Sequence, residues 1–296
     1  MAEPRVNITV TSYNRLASTR RCLESLRLTA GIGYTLTVVD NNSRDGSREY
    51  LISLYESGAI DRLFLCKYNV GVSVAANLGW AAVDTPYYVK LDNDVELLRS
   101  DWLNNLIELS IRAPGTGSIG YYIEAQRDES SQGPFFDVPR SVGSCILISR
   151  EAHERLGFWN EDYGLYGMED SDFGTRVGAA GLKSRYASHS ERYIRHSHDL
   201  YLGNERLDDE IRKTHGVSDE FTAMFYFNNA MFLSGVRPVY VKRKFSERRR
   251  EDGLYEFIPD PAYLAEEQRY SVERQSFIRD YLEAVRQEEH RWQVNG

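Results

Sequence analysis

Tyr87-Tyr-Val-Lys-Leu-Asp-Asn-Asp94 reads as an apolar strand, Tyr87–Asp92, that runs out into two carboxylates one residue apart. Three similar strands precede it. Arg5–Ser12 alternates Val6, Ile8 and Val10, Tyr34–Asp40 is continuously apolar at its centre, and Leu63–Lys67 supplies a third. Helical patterns lie between them. Leu16, Thr19, Leu23 and Leu26 form one stripe; Tyr50, Leu51, Leu54 and Tyr55 form a second, with Ser47 as its expected N-cap. The strand ends recur at roughly 25 to 28 residues, the size of a right-handed βαβ unit with parallel strands. An α/β class with an open, doubly wound sheet follows.

Ligands of such sheets bind in the crevice beyond the carboxyl ends of the strands. The segments leaving those ends are Thr11–Arg15, Asp40–Gly46, Asn69–Gly71 and Asp92–Asp94, all polar, and the topology converges them on one rim. Carboxylates spaced i, i+2 at a strand exit suit a hard divalent cation shared with phosphate oxygens. Solvated turns also carry Asp-x-Asp; the position behind a buried strand of an α/β domain is what favours the ligand role.

After residue 95 the pattern changes. Trp102–Arg112 is an amphipathic helix with Leu103, Leu106, Ile107 and Ile111 on one side. Gly115–Pro139, rich in Gly, Ser, Asp and Gln, reads as a long loop, and Val142–Ser149 as another strand. From about residue 200 the chain turns helical and charged. Phe221, Met224, Phe225, Asn228, Met231 and Phe232 form one stripe closed by Gly235; Phe277, Ile278, Tyr281, Leu282 and Val285 form another. With 296 residues there is room for one large α/β domain and an appendage. A net charge of −8 argues against a general nucleic-acid binder. Cys22, Cys66 and Cys145 show no metal or disulfide rhythm, which fits a reducing compartment. The start has no signal-peptide core, and no stretch approaches the roughly 18 to 20 apolar residues of a membrane span. The expectation is a cytoplasmic protein whose membrane contact, where it has one, is peripheral.

Five motifs stand in a set order: Val10-Thr-Ser-Tyr-Asn-Arg15, Val38-Val-Asp-Asn-Asn-Ser43, Asn69-Val-Gly71 with Ala76-Asn-Leu-Gly79, Leu91-Asp-Asn-Asp94 and Gly167-Met-Glu-Asp-Ser-Asp172. In that order the chain resembles the family-2 glycosyltransferases of the GT-A fold, over roughly residues 5 to 200. The resemblance implies a Rossmann-like, mostly parallel mixed sheet flanked by helices, with residues 1–200 as the nucleotide-sugar-binding and catalytic domain. Residues 201–296 would be a helical C-terminal extension, serving acceptor binding or homo-oligomerisation. The implied activity is an inverting transfer from a nucleotide-diphosphate sugar, commonly a UDP-sugar, with Mn²⁺ or Mg²⁺ as cofactor. The acceptor stays open among a glycan, a lipid-linked glycan, a protein and a modified nucleic acid.

Carried over residue by residue, the resemblance places Thr11, Tyr13 and Arg15 against base and phosphates, and Asp40 against uracil or ribose. Asn69, Gly71 and Asn77 line the nucleotide, Asp92 faces ribose or donor sugar, and Asp94 binds the metal. A histidine after the last core strand completes the metal shell, either His196 or His198. Asp170 becomes the general base that takes the acceptor proton, with Glu169 assisting. Ser144, Trp159 and Arg176 are candidates for the acceptor and sugar site, with Tyr163 a further stacking aromatic. Each has a plainer reading: Asp40 as a turn cap, Gly71 and Gly79 as turn and packing glycines, Trp159 as core. Asp172 reads as a first-turn carboxylate of the helix Phe173–Ala180. Lys242–Arg250 is a basic run in an acidic chain, suited to an anionic partner or to a solvated face.

Three rival classes deserve comparison. Leu-Asp-Asn-Asp-Val is similar to the nucleophile strand of haloacid-dehalogenase-type phosphatases, but that reading leaves Thr11–Arg15 and Asp40–Ser43 idle. A sugar-1-phosphate nucleotidyltransferase wants a glycine-rich basic loop after the first strand. A catalytically inactive GT-A-like binding module would not need Asp94, Asp170 and the histidines.

Overall fold

Every residue of β1 (Val6–Ser12) is buried, polar Asn7 and Thr9 included, because helices cover both faces of the sheet at its centre. The computed structural model describes residues 5–123, 133–140, 143–196 and 219–295, with side chains through 287. After β1 come α1 (Leu16–Leu26), β2 (Tyr34–Asp40), α2 (Ser47–Glu56), β3 (Arg62–Leu65), α3 (Val72–Ala81) and β4 (Tyr87–Asp92). Then follow β5 (Val95–Leu97), α4 (Trp102–Arg112), β6 (Thr116–Gly120), β7 (Phe135–Val138), β8 (Cys145–Ser149), α5 (Arg150–Leu156), α6 (Glu169–Ala179), β9 (Lys183–Ala187) and β10 (Ile194–His196). The C-terminal part carries α7 (Asp219–Leu233), β11 (Phe245–Arg249), β12 (Tyr255–Pro259) and α8 (Pro261–Asn295).

The main sheet has the order β3-β2-β1-β4-β8-β6-β9-β7. The first four strands are parallel, as the βαβ spacing predicts; β8 then runs antiparallel to β4 and to β6. One core layer, with Val6, Ile8, Leu23, Trp102 and Leu106, packs beneath α1 and α4. The opposite layer holds Trp80, Tyr88, Trp159 and Phe173 against α3, α5 and α6.

Several expectations need correction. The loop expected over Gly115–Pro139 contains β6 and β7. Two of its glycines serve close packing rather than a turn: a Cβ on Gly117 would reach Val177 and Leu182, and one on Gly120 would strike the Cys145 carbonyl. Val142 lies outside the described residues, and β8 starts only at Cys145. Ser47 is not the cap of α2; Asp45 Oδ1 accepts from Ser47 N at 3.1 Å, and Gly46 takes the left-handed turn at φ 92°. Ile111 is 64% exposed, so the buried stripe of α4 stops short of it.

The basic run folds into the β11–β12 hairpin, which docks on the N-terminal half. Tyr255 O accepts from Lys67 N at 2.9 Å, and Phe257 is buried among Val39, Cys66, Val74, Ala75 and Leu78. Burying such a phenylalanine is worth about 1.5–3 kcal/mol. The hairpin's charges are largely matched within the fold. Arg248 and Arg250 pair with Glu256, Arg243 with Glu247, Lys244 with Asp162 and Lys242 with Glu266. No helix among the described residues is long and apolar enough to cross a membrane.

Candidate active site

Leaving β1, Asn14 and Arg15 take left-handed backbone angles, φ 54° and 60°. That conformation is strained for arginine and persists because neighbouring loops hold it. Asn14 N donates to Ser43 Oγ at 2.8 Å, Arg44 N to Asn14 Oδ1 at 2.9 Å, and Leu16 N to Asp45 Oδ2 at 2.8 Å. Asn93 Nδ2 reaches back to Asn14 O at 3.2 Å and Thr19 Oγ1 at 2.8 Å. The middle residue of Asp-Asn-Asp is therefore a clamp inside the fold. The carboxylates on either side of it are engaged elsewhere.

Asp94 meets an arginine and a histidine. Arg15 Nη1 lies 2.6 Å from Oδ2, and His196 Nε2 lies 3.2 Å from Oδ1. His196 arrives there because β10 pairs with β5, opposite Val95. Burial would raise the Asp94 carboxyl, but the hydrogen bond and charge of His196, with Arg15, hold it below the ordinary aspartate value. His198 lies outside the described residues.

Asp92 takes a 2.7 Å ion pair from Lys90 Nζ, which also donates to Gly143 O at 2.8 Å. Asp92 N donates to Ser144 O at 2.8 Å, tying β4 to the start of β8. Across this strand pair stands the first turn of α6 with Glu169 and Asp170, entered through Met168 at φ 64°. Glu169 Oε2 accepts from Gly167 N at 2.8 Å. Burial raises both carboxyls above their ordinary values. Glu169, with Asp170 alongside, is pushed up to about 7. Ser144 Oγ is buried without a hydrogen-bond partner, Asp94 Oδ1 meets the His196 ring nitrogen, and Asp170 faces the Gly143 amide. Buried oxygens so thinly satisfied around Lys90, Asp92 and Asp94 suit a ligand site.

The other candidates sort by exposure. Tyr13 and Asn69 are half-buried, Thr11 is 9% exposed, and Gly71 takes φ 87° with its Cβ position against the Gly164 carbonyl. Asn69 Oδ1 accepts from Gly71 N at 3.0 Å. Asp40 is buried, accepting from Ser43 N at 3.2 Å and Arg48 Nε at 2.7 Å, which is the turn-capping role. Asn77 lies inside the protein: its amide holds Trp159 O at 2.8 Å, Trp159 N at 2.9 Å and Glu161 Oε1 at 2.7 Å.

The geometry gives Trp159 and Arg176 a different task from the sugar contact expected of them. Both are 0% exposed. Trp159 packs on Trp80 and Phe173, with ring centroids 5.6 and 4.6 Å away. Arg176 pairs with Asp172 at 2.7 Å and donates to the carbonyls of Leu156 at 2.6 Å and Phe158 at 2.9 Å. Asp172 is a hub rather than a simple first-turn carboxylate, since Asn160 and Tyr163 also donate to it. Tyr163, whose hydroxyl is engaged there, is not a surface for stacking.

Two residues at the site carry no sequence motif. Lys90 sits one position before Leu91 in the buried strand; a charge amid apolar neighbours was its signal. Tyr166, 47% exposed, lies within the electrostatic reach of Glu169, Asp92, Asp170 and Lys90.

Residues 7–135 match the family described as Glycosyl transferase family 2, and residues 127–199 match one described as N-terminal domain of galactosyltransferase. An N-acetylglucosaminyl-diphospho-decaprenol L-rhamnosyltransferase of Mycobacterium tuberculosis is 26% identical over 235 residues, 62% of this chain and 74% of that one. Among solved structures, a mannosyltransferase from Pyrobaculum calidifontis in complex with GDP-Man and Mn²⁺ superposes with a TM-score of 0.53 at 22% identity. That match covers 63% of this chain, which spans 55% of the mannosyltransferase. GalNAc-T7 with UDP, GalNAc and Mn²⁺ gives 0.56 at 13% identity, covering 65% of this chain and 44% of that one. At these identities the superpositions establish the GT-A fold alone. The matches favour the glycosyltransferase reading over the phosphatase, nucleotidyltransferase and inactive-module alternatives.

Proposed function

We propose that this chain is a family-2 glycosyltransferase that moves a sugar from a nucleotide-diphosphate donor, a UDP-sugar in the first instance, to an acceptor hydroxyl with inversion at the anomeric carbon; the match of residues 7–135 to that family and the rhamnosyltransferase relative support the reading. One observation carries this reading: Asp94, held by Arg15 and His196, stands two residues after Asp92, whose partner Lys90 lies within the field of Glu169 and Asp170. That proximity supports a donor side and an acceptor side on one rim.

In this reading Thr11, Tyr13, Asn69 and Gly71 receive the nucleotide, and Arg15 lies beside its phosphates. Asp94 and His196 offer a carboxylate and an imidazole from separate segments, with the Asp94 Oδ1 and His196 Nε2 atoms 3.2 Å apart, a donor set that fits Mn²⁺ or Mg²⁺. A cation bound there supplies charge neutralisation for the departing diphosphate. Among the described residues no three His, Cys, Asp or Glu side chains gather as a metal site. Donor phosphate oxygens would therefore supply the remaining ligands.

Asp170 accepts the acceptor proton as that oxygen forms its bond to the anomeric carbon and the bond to the diphosphate breaks. General-base assistance of this kind contributes about 10²–10⁴-fold in rate. Leu165 and Tyr166, 51% and 47% exposed, offer the acceptor an apolar and aromatic surface beside the base. The mycobacterial relative is named for transfer to a diphospho-decaprenol-linked sugar. An acceptor of that type would meet this protein at a membrane surface.

The test is thermal denaturation with UDP, GDP or dTDP, with and without MnCl₂, followed by nucleotide release from the matching sugar donors. A manganese-dependent rise in Tm with one nucleotide is expected. No stabilisation by any of the three, with or without the ion, would remove the donor site from this reading.

A further inference from the structure

Lys90 occupies the middle of the central strand β4, with its side chain only 3% exposed. A lysine there loses its hydration and is retained only if partners compensate it. An ammonium group has three donors. Two are taken, by Asp92 Oδ1 at 2.7 Å and Gly143 O at 2.8 Å. Trp159 closes the other side, its ring centroid 5.8 Å from Nζ.

Gly143 shows what lies beyond. A Cβ at that position would collide with Asp170 Oδ1 and stand 3.1 Å from Lys90 Nζ. The Asp170 carboxylate and the ammonium thus crowd one spot, kept open by the missing side chain of Gly143. Burial alone would push Lys90 toward the neutral amine. The charges of Asp92, Asp170 and Glu169 outweigh it and keep the group cationic.

We propose that Lys90 is a positioning residue for transfer: its ammonium, set between Asp92 and the Glu169–Asp170 pair, is the buried counter-charge that holds the base against the donor-side strand. The proposal rests on the reading of Asp170 as the base. The groups facing Asp170 are Glu169 on its own helix, Lys90 and Asp92 on β4, Arg140 ahead of β8, and Tyr166 before α6. Burial and the acidic neighbours favour the protonated acid; Lys90, the Gly143 amide and Arg140 oppose them. Arg140 is exposed, so water screens it. Tyr166 stays neutral near pH 7, its hydroxyl pushed up to about 12 by burial and the carboxylates. Lys90 is therefore the one buried counter-charge among them.

The experiment is a carbon-13 carboxyl titration of protein labelled at aspartate, with the Asp170 resonance assigned by Asp170→Asn. It needs neither donor nor acceptor, so a failure of the transfer reading in the nucleotide test leaves it intact. In Lys90→Met the Asp170 midpoint should rise by about one to three pH units, and in Lys90→Arg by less. Lys90→Gln keeps a donor toward Asp92 and Gly143 but removes the charge, and should also raise the midpoint. If Lys90→Met does not fold, Lys90→Gln and Lys90→Arg decide. An Asp170 midpoint equal to wild type in folded Lys90→Met, or in Lys90→Gln should the former not fold, overturns the proposal. A merely structural role for Lys90 would lower stability without moving that midpoint.

Discussion

Oδ1 of Asp94 lies 3.2 Å from Nε2 of His196, brought there by the antiparallel pairing of β5 with β10. The other carboxylate oxygen is engaged by Arg15 from the first loop. Removing the Asp94 charge should therefore cost donor binding rather than the fold. For Asp94→Asn we expect the manganese-dependent stabilisation by nucleoside diphosphate to vanish. For a ligand at a hundred times its Kd, that stabilisation is about 2.7 kcal/mol. Thermal denaturation with and without the ion is the measurement, and a wild-type response in the variant would detach Asp94 from the metal.

Asp170→Asn preserves shape but cannot take a proton. Its kcat should fall by about 10²–10⁴-fold, while calorimetric affinity for the nucleotide stays near wild type. Full turnover in this variant would place the base elsewhere.

Glu169 is pushed up to about 7 by burial, with Asp170 adding repulsion. Its unfolded value is near 4.5, so between those limits the native state binds more protons than the unfolded chain. Stability contributed by this group is thus complete below pH 4.5 and is lost as pH rises through 7. In Glu169→Gln that loss disappears, and the variant should exceed wild type at pH 8 by on the order of 1–3 kcal/mol. Urea denaturation at both ends of the window checks this. A variant no more stable than wild type at pH 8 would contradict the raised carboxyl.

Arg176 and Asp172 form a fully buried pair, and Arg176 also caps the carbonyls of Leu156 and Phe158. Arg176→Met leaves Asp172 uncompensated and should cost about 3–5 kcal/mol in urea denaturation. Arg176→Met with Asp172→Asn should recover part of it. A loss below about 1 kcal/mol would mean that water reaches the pair.

Several elements were readable from local pattern alone. Tyr34–Asp40 and Tyr87–Asp92 appear with the limits their apolar runs indicated, and Trp102–Arg112 is the helix its periodicity required. Other residues misled for identifiable reasons. Gly117 and Gly120 look like loop residues until the helix and strand lying against them are known. Trp159 and Arg176 have side chains suited to sugar recognition, yet both are buried, against Trp80 and Phe173 or on the carbonyls of Leu156, Phe158 and Val239.

Taken by itself, the chain determined the parallel βαβ half and the polar loops at its strand ends, because hydrophobic period and strand-exit chemistry act over a few neighbouring residues. The tertiary structure alone decided which of those polar groups turn inward as struts, as Asn77, Asn93 and Asp40 do, and that Lys90 stands between two carboxylate sets. The physical reason is that a buried charge or amide takes its role from partners far away in sequence, and those partners meet only when the sheet and its covering helices have closed around them.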